Sequence, residues 1–572
     1  MRSTRAHSPR LVRHLHTALI IALVGLLTGA LGPSAYGLQN TQAQSTDSLE
    51  AQVDSLMAEY DREDSPGAVV GVFRDGEVSF AKGYGMADLA HQIPITPETR
   101  FNIGSASKQF LGFAFALLAE QGALSLEDPV REHLPDWPKF SETVTLRHLL
   151  THTSGYREAY GTLYLAGRVP GQDYLPREEA LDVVRRQPKL EFSPGSTFQY
   201  NSTAFVILAD VLEQVTGEAP AKWMEENVFR PLGMKQTSIE REVGQVIPKA
   251  ADSYTDAEHG GYIQEASNRS IFGAAEVFTT VGDLARWARN FEAAEIGGQA
   301  VQERFQTPFV LTSGDTTSYA LGLFNDEYRG LQRLQHGGAH AGYLAQVSYY
   351  PALEAGVVVM SNYDGVNAAG AAQKVSEIAF GEHMGPKSER ARAKEGADVD
   401  STLLHRYAGK YRTDDGTVYT LKQKDGTLFV EGEPLIARSD TLFQPKGSTA
   451  QVIFHLGPER KVTQATLRTS VGDTPLRPVQ PWTPSAADLR TFAGRYYSPE
   501  LETVYTFAVE DSQLVAQHRW HGTLRFTPGE ENTFQAEEAE IQVQFERNKV
   551  GLITGYYASA LRTRDVWFDK RE

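Results

Sequence analysis

The chain contains no cysteine. That excludes a disulfide framework, a thiolate metal site, a cysteine nucleophile and a lipid-modified cysteine. Positive charge is also scarce. Fifty-five Lys and Arg stand against 72 Asp and Glu, a formal net charge of −17. Nucleic-acid binders need a basic face to displace counterions from phosphates, so no nucleic-acid partner is expected. A long membrane-spanning run is missing too. TALIIALVGLLTGALG (17–32) falls short of the ~20 apolar residues a span requires. It follows Arg2, Arg5, Arg10 and Arg13 and precedes AYG (35–37), with small residues where a signal peptidase reads. Residues 1–37 therefore read as a signal peptide, with a secreted or periplasmic body and no span in the mature chain. The alternative is a membrane anchor left uncleaved.

At 41% hydrophobic and 22% charged, the remainder has enough apolar material to fold. Its 572 residues exceed one core and suggest several domains of roughly 150 residues each. GAVVGVFRDGEVSFAKGYG (67–85) holds two β-rich runs around Asp75-Gly76, a strong hairpin signal. Helical and strand patterns then alternate to about Gly381. The charged, Gly- and Pro-punctuated stretch 382–400 reads as a linker. Beyond it LHRYAGKYR (404–412) is echoed by LRTFAGRYY (489–497), VYTL (418–421) by VYTF (504–507), and TLFQ (441–444) by TFQ (533–535). The period, roughly 85 residues, is too long for a solenoid. Alternating patterns with frequent turns predict two duplicated antiparallel β-domains, 401–478 and 487–572. Every candidate catalytic residue precedes the linker, so these domains are expected to stand independently and restrict access without supplying chemistry.

FNIGSASKQFLGFAFALLAEQG (101–122) places Ser105 three residues before Lys108, at the mouth of a segment with helical apolar periodicity. Residues i and i+3 are neighbours on a helix. A lysine desolvated there loses its proton more readily and can take that of the serine. A second S-x-x-K, Ser79 to Lys82, falls on a predicted strand, where residues three apart point to opposite faces. No metal site is expected. His148 and His152, and His336 and His340, are spaced by four but lack the adjacent Glu and a third ligand. His148 and His152 read as structural histidines near the site, and no cofactor motif is present.

Three further stretches accompany the serine: TLRHLLTHTSGY (145–156), EFSPGSTFQYNSTAFVILADVLEQVTGE (191–218) and LQHGGAHAGYLAQVSYYP (334–351). Together, in this order, they resemble the serine β-lactamase and penicillin-binding-protein superfamily, nearest its class C β-lactamase, D-aminopeptidase and esterase branch. The resemblance spans about 49–381. It implies an α+β multidomain fold: a β-lactamase/transpeptidase-like domain with an antiparallel sheet flanked by helices and an all-helical region. Two small barrels follow, lipocalin-like, as in D-aminopeptidases.

The resemblance also implies the site. Ser105 is the acylating nucleophile, Lys108 its activating partner and Tyr200 a second base or acid, with Lys108 the expected source of positive charge beside that phenol. His336 occupies the third motif, His336-Gly337-Gly338, where true β-lactamases carry lysine. The oxyanion hole is formed by the backbone amides of Ser105 and Ala339. Ser202 stands where the family has asparagine, so Ser202 or Asn201, with Gly337 and Gly338, is expected to meet the substrate. His336, with an ordinary pKa near 6.5, is expected to charge as pH falls to about 6. The implied activity is an exported serine hydrolase acting on short D-amino-acid peptides, amides or esters. The alternatives are a class C-like β-lactamase, a D-Ala-D-Ala carboxypeptidase, and a penicillin-binding or sensor protein acylated without turnover.

Overall fold

The computed structural model describes residues 48–571 except 270, 387–398, 414–417, 431, 446–449, 470–471 and 480–481. The signal-peptide reading, and most of the linker, lie outside the described residues.

A six-stranded antiparallel sheet organises the first domain. Its strands are β1 (Ala68–Arg74), β2 (Glu77–Tyr84), β3 (Phe324–Tyr328), β4 (Leu331–His340), β5 (Tyr343–Tyr350) and β6 (Ala355–Ser361), in the order β3-β4-β5-β6-β1-β2. Asp75 and Gly76 join β1 to β2 with φ of 51° and 74°, as a two-residue I′ hairpin requires. Alternation along β1 then decides the layers. Val70 and Val72 pack with helices α1 (Leu49–Met57) and α6 (Ala368–Phe380). Val69 and Phe73 join the opposite core, with α2 (Lys108–Glu120) and α5 (Val281–Ala293). Every residue of α2 from Lys108 to Leu118 is buried. A helix apolar on all sides belongs at the centre of a domain, and α2 lies there. The helical region contributes α3 (Ala159–Leu165) and α4 (Ser202–Thr216), the latter stopped by Gly217 in left-handed conformation.

Both repeats close into eight-stranded antiparallel barrels, β7 (Gly409–Thr413) to β14 (Gly472–Pro478) and β15 (Gly494–Ser498) to β22 (Thr563–Arg571). Their echoed sequences occupy equivalent places. Tyr411 donates to the Tyr407 carbonyl at 3.0 Å, and Tyr496 to the Phe492 carbonyl at 2.8 Å.

The two barrels differ in independence, which corrects the expectation for the second. The first encloses a core of its own. The second shares one continuous apolar core with the first domain. Its hairpin between β21 (Ile553–Ala560) and β22 presses on α3, and Gly161 makes room for it. A Cβ there would stand 2.5 Å from the Ala560 carbonyl oxygen. Thr563 donates to the Glu158 carbonyl at 2.6 Å, and Tyr505 to the Leu165 carbonyl at 2.9 Å. Arg157, fully buried, bonds Glu500 at 2.5 Å, Glu191 at 3.1 Å and the carbonyls of Arg564 and Asp565. A buried guanidinium must be paired, and here three of the four partners come from the barrel.

Candidate active site

Ser105 lies in a single 3₁₀ turn, Gly104–Ser107, that leads directly into α2. In such a turn residues i and i+3 eclipse, and Lys108 is therefore brought over Ser105. Lys108 Nζ is 3.0 Å from Ser105 Oγ and donates to the Ala274 carbonyl at 2.7 Å. The lysine side chain is wholly buried, and desolvation holds its pKa well below the usual range. The charge of Arg562 pushes the same way, and Glu158 opposes it. The control pair behaves as its strand position requires. Ser79 bonds the Val72 carbonyl, whereas Lys82 pairs with Glu50 and Asp54.

Strand β4 closes on this turn at van der Waals distance. A Cβ on Gly338 would lie 1.8 Å from the Ile103 carbonyl oxygen and 3.0 Å from the Ser105 nitrogen. One on Gly104, at φ 50°, would lie 2.5 Å from the Ala339 nitrogen. The backbones of Ser105 and Ala339 are thus brought together. Gly337 lies beside the Gln346 amide.

His336 differs from the expectation of an ordinary histidine. Both ring nitrogens are engaged, Nε2 with the Tyr319 hydroxyl at 3.0 Å and Nδ1 with the Gly337 carbonyl at 2.5 Å. The tautomer that satisfies both carries its proton on Nδ1 and accepts from Tyr319 on Nε2. Burial, with Lys108 nearby, pushes its pKa down to about 3. It stays neutral at pH 6.

Tyr200 is half-buried, and its buried hydroxyl forms no well-directed hydrogen bond among the described residues. Desolvation pushes its pKa up to about 12, against the influence of the neighbouring Ser105 and Arg562. It is a phenol, not a phenolate, at neutral pH. Lys108 Nζ stands 5.2 Å from the ring centre. Asn201 does not reach toward the serine. Its Oδ1 caps α4 by accepting from the Ala204 amide at 3.1 Å, and its Nδ2 donates to the Tyr156 carbonyl at 2.6 Å. Ser202 is the buried first residue of α4. His152, in left-handed conformation at φ 57°, packs against Tyr200 and Tyr319 with centroids 4.1 and 4.6 Å away, and accepts from the Asn201 amide. His148 caps its own helix through Thr145.

Sequence reasoning missed Arg562. This residue, in the β21–β22 turn of the second barrel, lies with its guanidinium 5.3 Å from the centre of the Tyr200 ring. Gln199 holds the turn by donating to the Arg562 carbonyl at 2.8 Å. The charge of this arginine pulls the Tyr200 pKa down in the resting state, against desolvation. The second barrel thus sets a charged side chain against Tyr200. No local motif marks a single arginine in a turn, and its position is set by the docking of a domain hundreds of residues away.

Residues 49–380 match the Beta-lactamase family, and the chain belongs to that family. It is 29% identical over 449 residues to the D-aminopeptidase of Brucella anthropi, covering 76% of this chain and 80% of that protein. It is 28% identical to the D-aminopeptidase of Cereibacter sphaeroides strain ATCC 17023, covering 82% and 86%. In fold it is similar to an octameric penicillin-binding protein homologue from Pyrococcus abyssi, with a TM-score of 0.54, 23% identity, and coverage of 76% of this chain and all of that one. A penicillin-binding protein from Bacillus halodurans superposes with a TM-score of 0.50 and 27% identity over 57% of this chain and 99% of its own. The protein is a serine hydrolase of the β-lactamase fold.

Proposed function

We propose that Ser105 is acylated by short D-amino-acid peptides, amides or esters, and that water then releases the acid. The observation carrying this reading is a buried amine, its pKa held well below the usual lysine range, 3.0 Å from a hydroxyl at a turn that faces a second backbone. Lys108 takes the Ser105 proton as the Ser105 Oγ–carbon bond forms. The Ala274 carbonyl holds one N–H of the amine, which leaves its lone pair for Ser105. Negative charge grows on the carbonyl oxygen, and the amides of Ser105 and Ala339, on the two backbones that meet here, receive it, at about 3 kcal/mol per donor in comparable sites. When the carbon–nitrogen or carbon–oxygen bond breaks, the leaving group needs a proton. Tyr200, still protonated at neutral pH, donates it, and the proton on Lys108 restores the phenol. Water attacks the acyl-enzyme by the reverse relay.

The D-aminopeptidase names of the relatives support the substrate class. We further propose that the protein is exported, on the pattern of residues 1–37. Incubation with p-nitrophenyl esters and D-aminoacyl anilides, followed by mass spectrometry, tests the reading. The adduct should map to Ser105. Ser105→Ala should abolish turnover while Ser79→Ala leaves it nearly intact. An adduct on another residue, or equal loss in both variants, refutes it.

A further inference from the structure

The Ala274 carbonyl that accepts from Lys108 belongs to a tight loop, residues 271–276. The loop closes on itself. The Ala274 amide donates to the Ile271 carbonyl at 3.0 Å, and the Ile271 amide donates to Glu276 Oε1 at 2.7 Å. The side chain of the last residue is thus tied to the backbone of the first. The loop is also pinned from outside. The Glu276 carbonyl accepts from the Glu240 amide at 2.9 Å, and Arg177 donates to the Phe272 carbonyl at 3.0 Å. Val277 follows at once. Its amide donates to Ser107 Oγ at 3.2 Å, and its carbonyl accepts from the Ile103 amide at 3.0 Å, so the loop exit is fastened to both sides of Ser105.

Glutamate is a costly residue at position 276. Its φ is 80°, in the left-handed region where a side chain strains the backbone and glycine does not. Its carboxyl is buried as well. Burial pushes the pKa up to about 8, against the Ile271 amide, Arg177 and Arg269, with the charge of Glu240 adding to the rise. The group is therefore mostly a neutral acid at pH 7. A glycine would remove both costs. It would also leave the buried Ile271 amide without an acceptor and the loop without its tie. Strained backbone of this kind gathers at functional sites, and this strain lies two residues from the carbonyl that orients the base. We infer that Glu276 is a positioning residue for Lys108: its carboxyl closes the 271–276 loop and so fixes the Ala274 carbonyl that holds one N–H of the amine and aims its lone pair at Ser105. This rests on the acyl-enzyme reading of Ser105 and adds to it a residue that acts through Lys108. With the tie cut, the carbonyl shifts, the amine turns about its last bond, and proton transfer from Ser105 Oγ slows.

The test uses the full chain and p-nitrophenyl acetate, with rapid-quench mass spectrometry of the Ser105 adduct. The fraction of chains acylated counts competent sites, and the rate constant per competent site reports the aim of Lys108, which separates lost folding from lost geometry. Glu276→Gly removes strain and carboxyl together. Glu276→Ala removes the carboxyl and keeps the strain. Glu276→Gln keeps an oxygen acceptor at the same reach and is nearly isosteric with the neutral acid. In the Gly and Ala variants the acylation rate constant should fall at least about tenfold, with the ester concentration for half-maximal rate unchanged, and Gln should stay within about threefold of the wild type. A wild-type rate constant in a folded Glu276→Gly, or a Glu276→Gln as slow as Glu276→Gly, overturns the positioning role and leaves the nucleophile assignment intact. So does a rise in the half-maximal concentration that accounts for the loss, which would set Glu276 against the substrate. Unfolding of both the Gly and Ala variants would make the carboxyl purely structural and overturn the role as well. A wild-type chain that forms no adduct at Ser105 overturns the acyl-enzyme reading itself.

Discussion

Replacing Arg157 with methionine should loosen the second barrel, by an amount that depends on pH. The guanidinium is fully buried between Glu191 and Glu500, whose side chains are 1% and 4% exposed. Taking one partner from a buried ion pair generally costs about 3–5 kcal/mol, because a charge remains in low dielectric without its counter-ion. Here two carboxylates lose their cation, and a buried acid can escape by binding a proton. Burial has already pushed Glu191 up to about 7, and Glu500 is raised as well, in both cases against the stabilising pull of Arg157. Without that pull both folded-state values must rise further. A folded pKa above the unfolded value gives stability that is full below about 4.5 and is lost as pH rises through the folded value. The cost of Arg157→Met should therefore approach the full ~3–5 kcal/mol at pH 8 and be clearly smaller at pH 6. Equilibrium urea denaturation at the two pH values measures it. Arg525→Met is the control, because its 2.9 Å pair with Glu538 is largely exposed, screened by solvent, and should contribute little. A loss for Arg157→Met no larger than the control's, or one equal at pH 6 and pH 8, would refute this account of the interface.

Three other outcomes follow from the same geometry. Gly338→Ala forces a methyl group to within 1.8 Å of the Ile103 carbonyl oxygen, so the strand must move off the nucleophile turn and kcat should fall at least about 100-fold, the scale of losing one oxyanion donor; circular dichroism would show the fold retained. Gly161→Val should displace the β21–β22 hairpin from α3, and limited proteolysis between the domains should accelerate while the first barrel is unaffected. Because His336 is held near 3, neutral-ester turnover should show no inflection near pH 6.5 from this residue, and His336→Gln should leave the shape of the pH profile between 6 and 8 unchanged even where it lowers the rate; a wild-type inflection removed by that substitution would contradict the assignment.

Local rules made much of the molecule legible. Asp75-Gly76 forms a hairpin because few other pairs tolerate two positive φ values. Ser105 and Lys108 are adjacent because a turn of helix brings third neighbours together, and Ser79 and Lys82 are separated because a strand does not. The repeats become equivalent strands because equal patterns close equal barrels. What escaped was set by contacts distant in the chain. The depressed pKa of His336 depends on burial against Tyr319 and nearby rings. The roles of Arg157 and Arg562 depend on a barrel whose position no local pattern encodes. Asn201 was readable and was misassigned: an asparagine immediately before a long apolar helical run is an N-cap, and its side chain is consumed there.

The order of residues along the chain gives the site a history during synthesis. Ser105, Lys108, Tyr200 and Ala339 all emerge well before Arg562, and domains fold broadly in the order they are made. The first domain can therefore bring nucleophile and base together while the neighbouring face of α3 is still bare and the arginine has yet to arrive. The pairing of Arg157 with Glu500 and the approach of Arg562 to Tyr200 come last, when the second barrel docks.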